Sequence, residues 1–187
     1  MQYGLKYHKA NTKSHQVIGF LRILSIDYGM KCMKEFDYKL NYKKLDFTNK
    51  ETRKQYRIGR GEQGVLLVRP YTNDICKYWR FKKPSIAKKS AEKIYEMYAD
   101  YRYKNDFIGM DMCRKFLEMG FTRARRYANH RDGNKYDENR NVKPQEPDAM
   151  TCHFAKSATL FREYRNRVAK DDKYISMRKV WREIEEA

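Results

Sequence analysis

Two stretches of this chain place reactive or ligand-holding residue types at suggestive spacings. The first is Gly59-Arg60-Gly61-Glu62-Gln63-Gly64, which spells the G-x-G-x-x-G of a dinucleotide-binding loop. Such a loop lies between a strand and a helix, and its glycines let the backbone approach a pyrophosphate at the helix N-terminus. Here "YRI" precedes and "VLLV" follows, so both flanks have strand character. No acidic residue ends a second parallel strand about 20 positions on, and the Gly-Lys-Ser/Thr of a Walker loop is absent. The segment therefore reads as the tip of a β-hairpin, its glycines supplying positive φ, and no cofactor is expected. A glycine tip flanked by Arg57, Arg60 and Arg69 also suits close approach to a phosphate chain, which makes these three candidate nucleic-acid contacts.

The second stretch is "FLEMGFTRARRYANHRDGNKY", residues 116–136. Gly120 fits a left-handed helix cap, and Thr122 fits the N-cap of a short basic helix over 123–130. On that helix Arg123, Arg126, Tyr127 and His130 fall on one side, with Arg125 directed elsewhere. A helix–turn–helix element inserts its second helix into a nucleic-acid groove in this way. Between 121 and 143 seven cations (Arg123, Arg125, Arg126, Arg131, Lys135, Arg140, Lys143) stand against three acids (Asp132, Asp137, Glu138). Tyr127 and Tyr136 offer stacking surfaces among them. The competing reading is a solvated helix whose arginines pair with Glu118, Asp132 or neighbouring acids. An enzymatic alternative uses His130 as a general base and Asp132 on a metal, as in a small nuclease. Four histidines with no H-x-H or H-x-x-x-H spacing, and a lone Cys152-His153 pair, make no metal site.

These residues need elements to position them. "FDYKLNYKKLDF" (36–47) alternates Phe36, Tyr38, Leu40 and Tyr42 with polar residues, the period of a strand. "KQYRI" and "GVLLVRPY" read as two more strands, and Trp79 with Phe81 as a short extended piece. From 85 to 103 the period becomes helical, with apolar residues on one face and a Lys88–Glu92 pair on the other. A second helix over 106–119 is apolar around more than half its wheel, so it is central. Residues 131–150 hold few apolar residues and two prolines and read as a long polar loop that a partner would order. Helical patterns return on Phe154, Ala158, Phe161, Tyr164 and Val168, and again around Ile175, Val180, Trp181 and Ile184. The expected fold is α+β: a small antiparallel sheet in the N-terminal part, then a helical half with a helix–Gly–helix element. Residues 1–35 read as an extension and 36–187 as a single domain.

Composition narrows the partner. The chain of 187 residues has a formal net charge of +18, with 35% charged residues. That surplus selects polyanions, nucleic acid first and then an anionic membrane. Nucleic acid is the expected partner and no membrane is; an interaction protein docking on an acidic partner is a further alternative. Sixteen Tyr, nine Phe and two Trp interleave with the cations, as on surfaces that track phosphates and stack bases. The apolar run "VIGFLRILSI" (17–26) is too short to span a bilayer and contains Arg22. Four scattered cysteines suit reduced thiols, and with them a cytoplasmic location.

Several phrases carry a resemblance. "YRIGRGEQGVLLVRPY", "WRFKKPSIAKKSAEKIYE", "DFIGMDMCRKFLEMGFTRARRYANH" and "GNKY" are similar to the signature of a domain-of-unknown-function family found in large tailed phages, bacteria and some algae. The likeness covers about residues 36–187 and implies kinship without an activity. The expected function is therefore sequence-independent nucleic-acid binding through an Arg/Lys face: Arg123, Arg125, Arg126, Tyr127, His130, Arg131 and Lys135, with the basic tip around Arg57, Arg60 and Arg69. If about 5–8 phosphates are neutralised, log K should fall against log[salt] with a slope of roughly −4 to −7.

Overall fold

The computed structural model describes residues 36–186. The extension and the apolar run at 17–26 lie outside them. Six α-helices follow in order: α1 Lys50–Arg53, α2 Tyr71–Cys76, α3 Pro84–Tyr103, α4 Phe107–Asn129, α5 His153–Ala169 and α6 Asp172–Glu186. Pro84 starts α3 where a missing N–H costs nothing. Of the apolar face read from the sequence, Ala87, Ala91, Ile94 and Tyr98 are buried, with Ser90 beside them, while Ile86 is exposed. Lys88 and Glu92 do pair, at 3.9 Å on the exposed face. Asp106 caps α4 by accepting from the Gly109 N–H, and its carboxylate also receives Arg53 at 2.9 Å and the Tyr71 hydroxyl at 2.7 Å. One side chain thus ties α1 and α2 to the start of α4. The first half of α4 is buried on nearly every side, and the helix packs against α2, α3, α5 and α6.

The expected sheet does not form, and the fold is helical. Among the described residues the one β-type pairing is an isolated bridge, Tyr136 to Val142. Residues 36–47, 54–58 and 64–71, read above as strands, run through turns, a 3-10 turn at Tyr42–Lys44 and the start of α2. Phe36, Tyr42, Phe47 and Tyr56 are buried all the same, while Tyr38, read on the same face, is 62% exposed. Phe36 stacks on Tyr42, Tyr42 on Phe47, and Phe47 meets Tyr56 edge-on. This aromatic train caps the helices, and the backbone is satisfied locally: Gln63, Val65 and Leu67 donate to carbonyls three residues back. The period-2 apolarity is incidental, and the segment packs on helices without a partner strand among the described residues. The glycines do take positive φ, +64° at Gly59, +51° at Gly61 and +77° at Gly64, but in successive turns and not at a hairpin tip. At Gly64 a Cβ would sit 2.0 Å from the Phe36 ring, so the aromatic train needs a glycine to cross there.

The helix–Gly–helix element is also absent. α4 runs unbroken through Gly120, and Thr122 caps nothing. A Cβ on Gly120 would lie 2.4 Å from the Phe161 ring of α5. The glycine therefore serves a close approach of two helices and not a helix end.

Candidate nucleic-acid interface

The last three turns of α4 and the 131–150 loop enclose a basic groove. The loop is latched to the helix at several points. The Arg125 guanidinium donates to the Ala149 carbonyl at 2.8 Å and to Asn129 Oδ1 at 2.6 Å. Arg131 binds Asp148 at 2.8 Å and approaches Glu146 at 3.7 Å. The Glu146 N–H donates to the Asn129 carbonyl, and the Lys143 N–H to the Lys135 carbonyl. Lys143 binds Asp132, whose carboxyl is held down to about 2 by that bond. The loop thus has a defined shape built from its own ion pairs.

Two adjoining cavities lie along this groove. One, of about 390 Å³, is lined by Phe121, Thr122, Arg125, Arg126, Asn129, His130, Lys135, Val142 and Gln145. The other, of about 410 Å³, is lined by Arg126, Gly133, Asn134, Lys135 and Tyr136. Arg126 and Lys135 line both and form the ridge between them. Neither has an acidic partner among the described residues, and the same holds for Arg123. Glu118 and Asp132, the acids that flank Arg123 and Arg126 in sequence, are taken by Arg165 and Lys143. His130 is only 6% exposed, and its Nδ1 has no hydrogen-bond partner among the described residues.

The sequence-derived residues divide accordingly. Arg125, Arg126, His130 and Lys135 come together in one cavity. Arg123 is exposed on the same half of α4 but lines neither cavity. Arg131 and Arg125 hold the loop in place. Tyr127 packs its ring against Phe81 and Phe154, at 5.7 and 5.4 Å, while Tyr136 is 53% exposed at the second cavity. Asp132, in its pair with Lys143, lines neither cavity with His130. Among the described residues no group of three His, Cys, Asp or Glu side chains is placed to hold a metal. Arg57 and Arg69 donate to carbonyls of their own segment, Arg60 is exposed, and none of the three lines either cavity.

A second charged group, unforeseen in the sequence, lies in the first half of α4. Asp111 is fully buried and accepts from the Tyr56 hydroxyl at 2.5 Å, the Tyr174 hydroxyl at 2.6 Å and Arg114 Nε at 2.8 Å. Lys115, also fully buried, has its Nζ 3.6 Å from Asp111 and donates to the Gln63 carbonyl at 2.8 Å. Burial pushes the Lys115 ammonium down to about 8. Burial alone would raise the Asp111 carboxyl, but Arg114 and Lys115 together with the two hydroxyls hold it well below its usual 3.8. Arg114 reaches the Gly61 carbonyl, and Arg182 of α6 reaches that of Gly59. Glu185 accepts from the Ile58 N–H and from Arg182. The glycine segment thus turns three carbonyls onto the protein's own cations. The available signal was Asp111, Arg114 and Lys115 at i, i+3 and i+4 inside an otherwise apolar helix, charges that burial obliges to pair.

A family model described as Domain of unknown function (DUF4385) matches residues 37–184. The chain belongs to this family. The DUF4385 match takes in both the groove and the buried Asp111 group. No curated protein and no solved structure matches the chain. Among the described residues no helix is long and apolar enough to cross a membrane.

Proposed function

We propose that the protein binds nucleic acid through phosphate contacts in the groove between α4 and the 131–150 loop. The observation that carries this reading is the ridge of Arg126 and Lys135, two cations without acidic partners between two open cavities. Cations already paired to acids gain little from a phosphate, because the bond exchanges one anion for another. Unpaired ones gain charge-assisted bonds and release the counterions of the nucleic acid. Arg123 extends the same charge along α4. The cations of the ridge reach phosphates, which carry no sequence information, so the binding is largely independent of sequence. In a bacterial or phage-infected cytoplasm, the setting the family resemblance implies, such a surface meets nucleic acid in excess. The test is an anisotropy titration at several salt concentrations. A slope of log K against log[salt] of roughly −4 to −7 is expected; absence of binding at about 50 mM salt overturns the reading. A Mg²⁺-dependent cleavage assay on the same samples separates binding from a nuclease that uses His130.

A further inference from the structure

We infer that the groove takes single-stranded nucleic acid, DNA or RNA, with a base in the Phe121–Gln145 cavity and the next backbone phosphate on the Arg126–Lys135 ridge. This deepens the nucleic-acid reading and rests on it. The composition of the first cavity is not that of a phosphate site. A phosphate needs donors and cations only. Here Phe121 and Val142 supply apolar surface, and Asn129 and Gln145 supply amides. The Asn129 amide oxygen is engaged by Arg125, which leaves its NH2 group as a donor. Gln145 has no hydrogen-bond partner among the described residues and offers both a donor and an acceptor. Apolar walls with a few convergent neutral polar groups suit a planar heterocycle, and about 390 Å³ falls in the range of small-ligand sites.

The second cavity continues the pattern. Its cations are those of the ridge, and its wall carries the exposed ring of Tyr136. Lys135 Nζ lies 5.3 Å from the centre of that ring, so a phosphate on Lys135 and a base on Tyr136 are neighbours. Two cavities on either side of a phosphate ridge, each with room for a base, match two successive nucleotides of one strand. A duplex keeps its bases stacked and paired, and it can offer this groove only its phosphates. Single strands splay their bases onto aromatic rings and hydrogen-bond their edges.

The test uses the full chain and four fluorescent probes of about ten nucleotides: single-stranded DNA, single-stranded RNA, the DNA duplex, and a single strand of abasic residues. At equal ionic strength the two base-bearing single strands should bind about tenfold or more tightly than both the duplex and the abasic strand. Tyr136→Ala, at an exposed position, should remove about tenfold from single-strand affinity and leave the salt slope and duplex binding unchanged. Gln145→Ala is a second exposed substitution with the same expectation in direction. If duplex or abasic strand binds as tightly as the base-bearing strands, the single-strand inference falls while the nucleic-acid reading stands. If none of the four binds, both fall.

Discussion

In the first turns of α4, Asp111, Arg114 and Lys115 lie in the interior, each with partners on other segments. In its last turns Arg123 and Arg126 stand in solvent with no acid beside them. One helix therefore carries two kinds of charge. The buried set has its cations paired to Asp111 and to backbone carbonyls and acts on the protein's own parts, holding the glycine segment and α6 to the core. The exposed set is left uncompensated, so its favourable partner is an anion from elsewhere. Net charge does not distinguish the two, and neither does residue type. What separates them is whether the fold brings an acid within reach.

That contrast can be broken most forcefully at Asp111. Asp111→Asn keeps the shape and removes the charge that compensates Lys115 and Arg114. Leaving a buried cation unpaired costs about 3–5 kcal/mol, readable in urea unfolding. The pH dependence has a definite sign. Folding lowers the Asp111 pKa below 3.8, so its contribution is complete above that pH and is lost as pH falls through the folded value. The gap between wild type and Asp111→Asn should therefore narrow as the pH drops below 3.8. A variant with unchanged urea midpoint would show the buried group to be energetically idle.

Gly120 lies at the junction between the two halves. Alanine raises helix propensity by about 1 kcal/mol, yet its Cβ would collide with Phe161. Overpacking should win, and Gly120→Ala should lose about 1–3 kcal/mol. Phe161→Leu made in the same background should cost less than the two changes added separately, since the second relieves the first. A stabilised Gly120→Ala protein would contradict the close α4–α5 approach.

The smallest effect on stability belongs to the exposed half. Arg123→Ala with Arg126→Ala should leave unfolding within about 0.5 kcal/mol of wild type and lower the salt slope of nucleic-acid binding by about 2, equally for all sequences. Asp111→Asn, at a pH where it remains folded, should do the reverse and leave that slope alone. Loss of stability in the double arginine variant, or an unchanged slope, would erase the distinction between the two halves.

The helices were legible where one face meets the core. The buried stripe of α3 and the pattern of α5 could be read from spacing because each has a wet face and a dry one; α6 is a helix as expected, but Ile175, Val180 and Ile184 lie on its exposed side and Tyr174 and Glu185 are what it buries. The N-terminal segment misled because its alternation is incidental: Phe36 and Tyr42 pack on helices while Tyr38 between them is exposed. Gly120 misled because a glycine required by a neighbouring helix and a glycine required by a helix end look alike in sequence. Of the groove, Arg125, Arg126, His130 and Lys135 could be picked out from the local cluster of cations. Phe121, Asn129, Val142 and Gln145 could not, because they join it only when the loop folds back on α4.

The sequence by itself determined the surplus of positive charge, the apolar stripes of the long helices and the glycines that must take positive φ. Each is a property of residue type and short spacing, with no dependence on distant partners. Tertiary structure decided everything that turns on a contact between remote segments. It set Gln63, Gly61 and Gly59 against cations of α4 and α6, passed α4 unbroken under Phe161, and gave Glu118 and Asp132 to Arg165 and Lys143. Arg126 and Lys135 keep an unneutralised charge because Glu118 and Asp132 are taken by other cations and Glu62 is bound by the Thr122 hydroxyl, and that allocation exists only once the chain has folded.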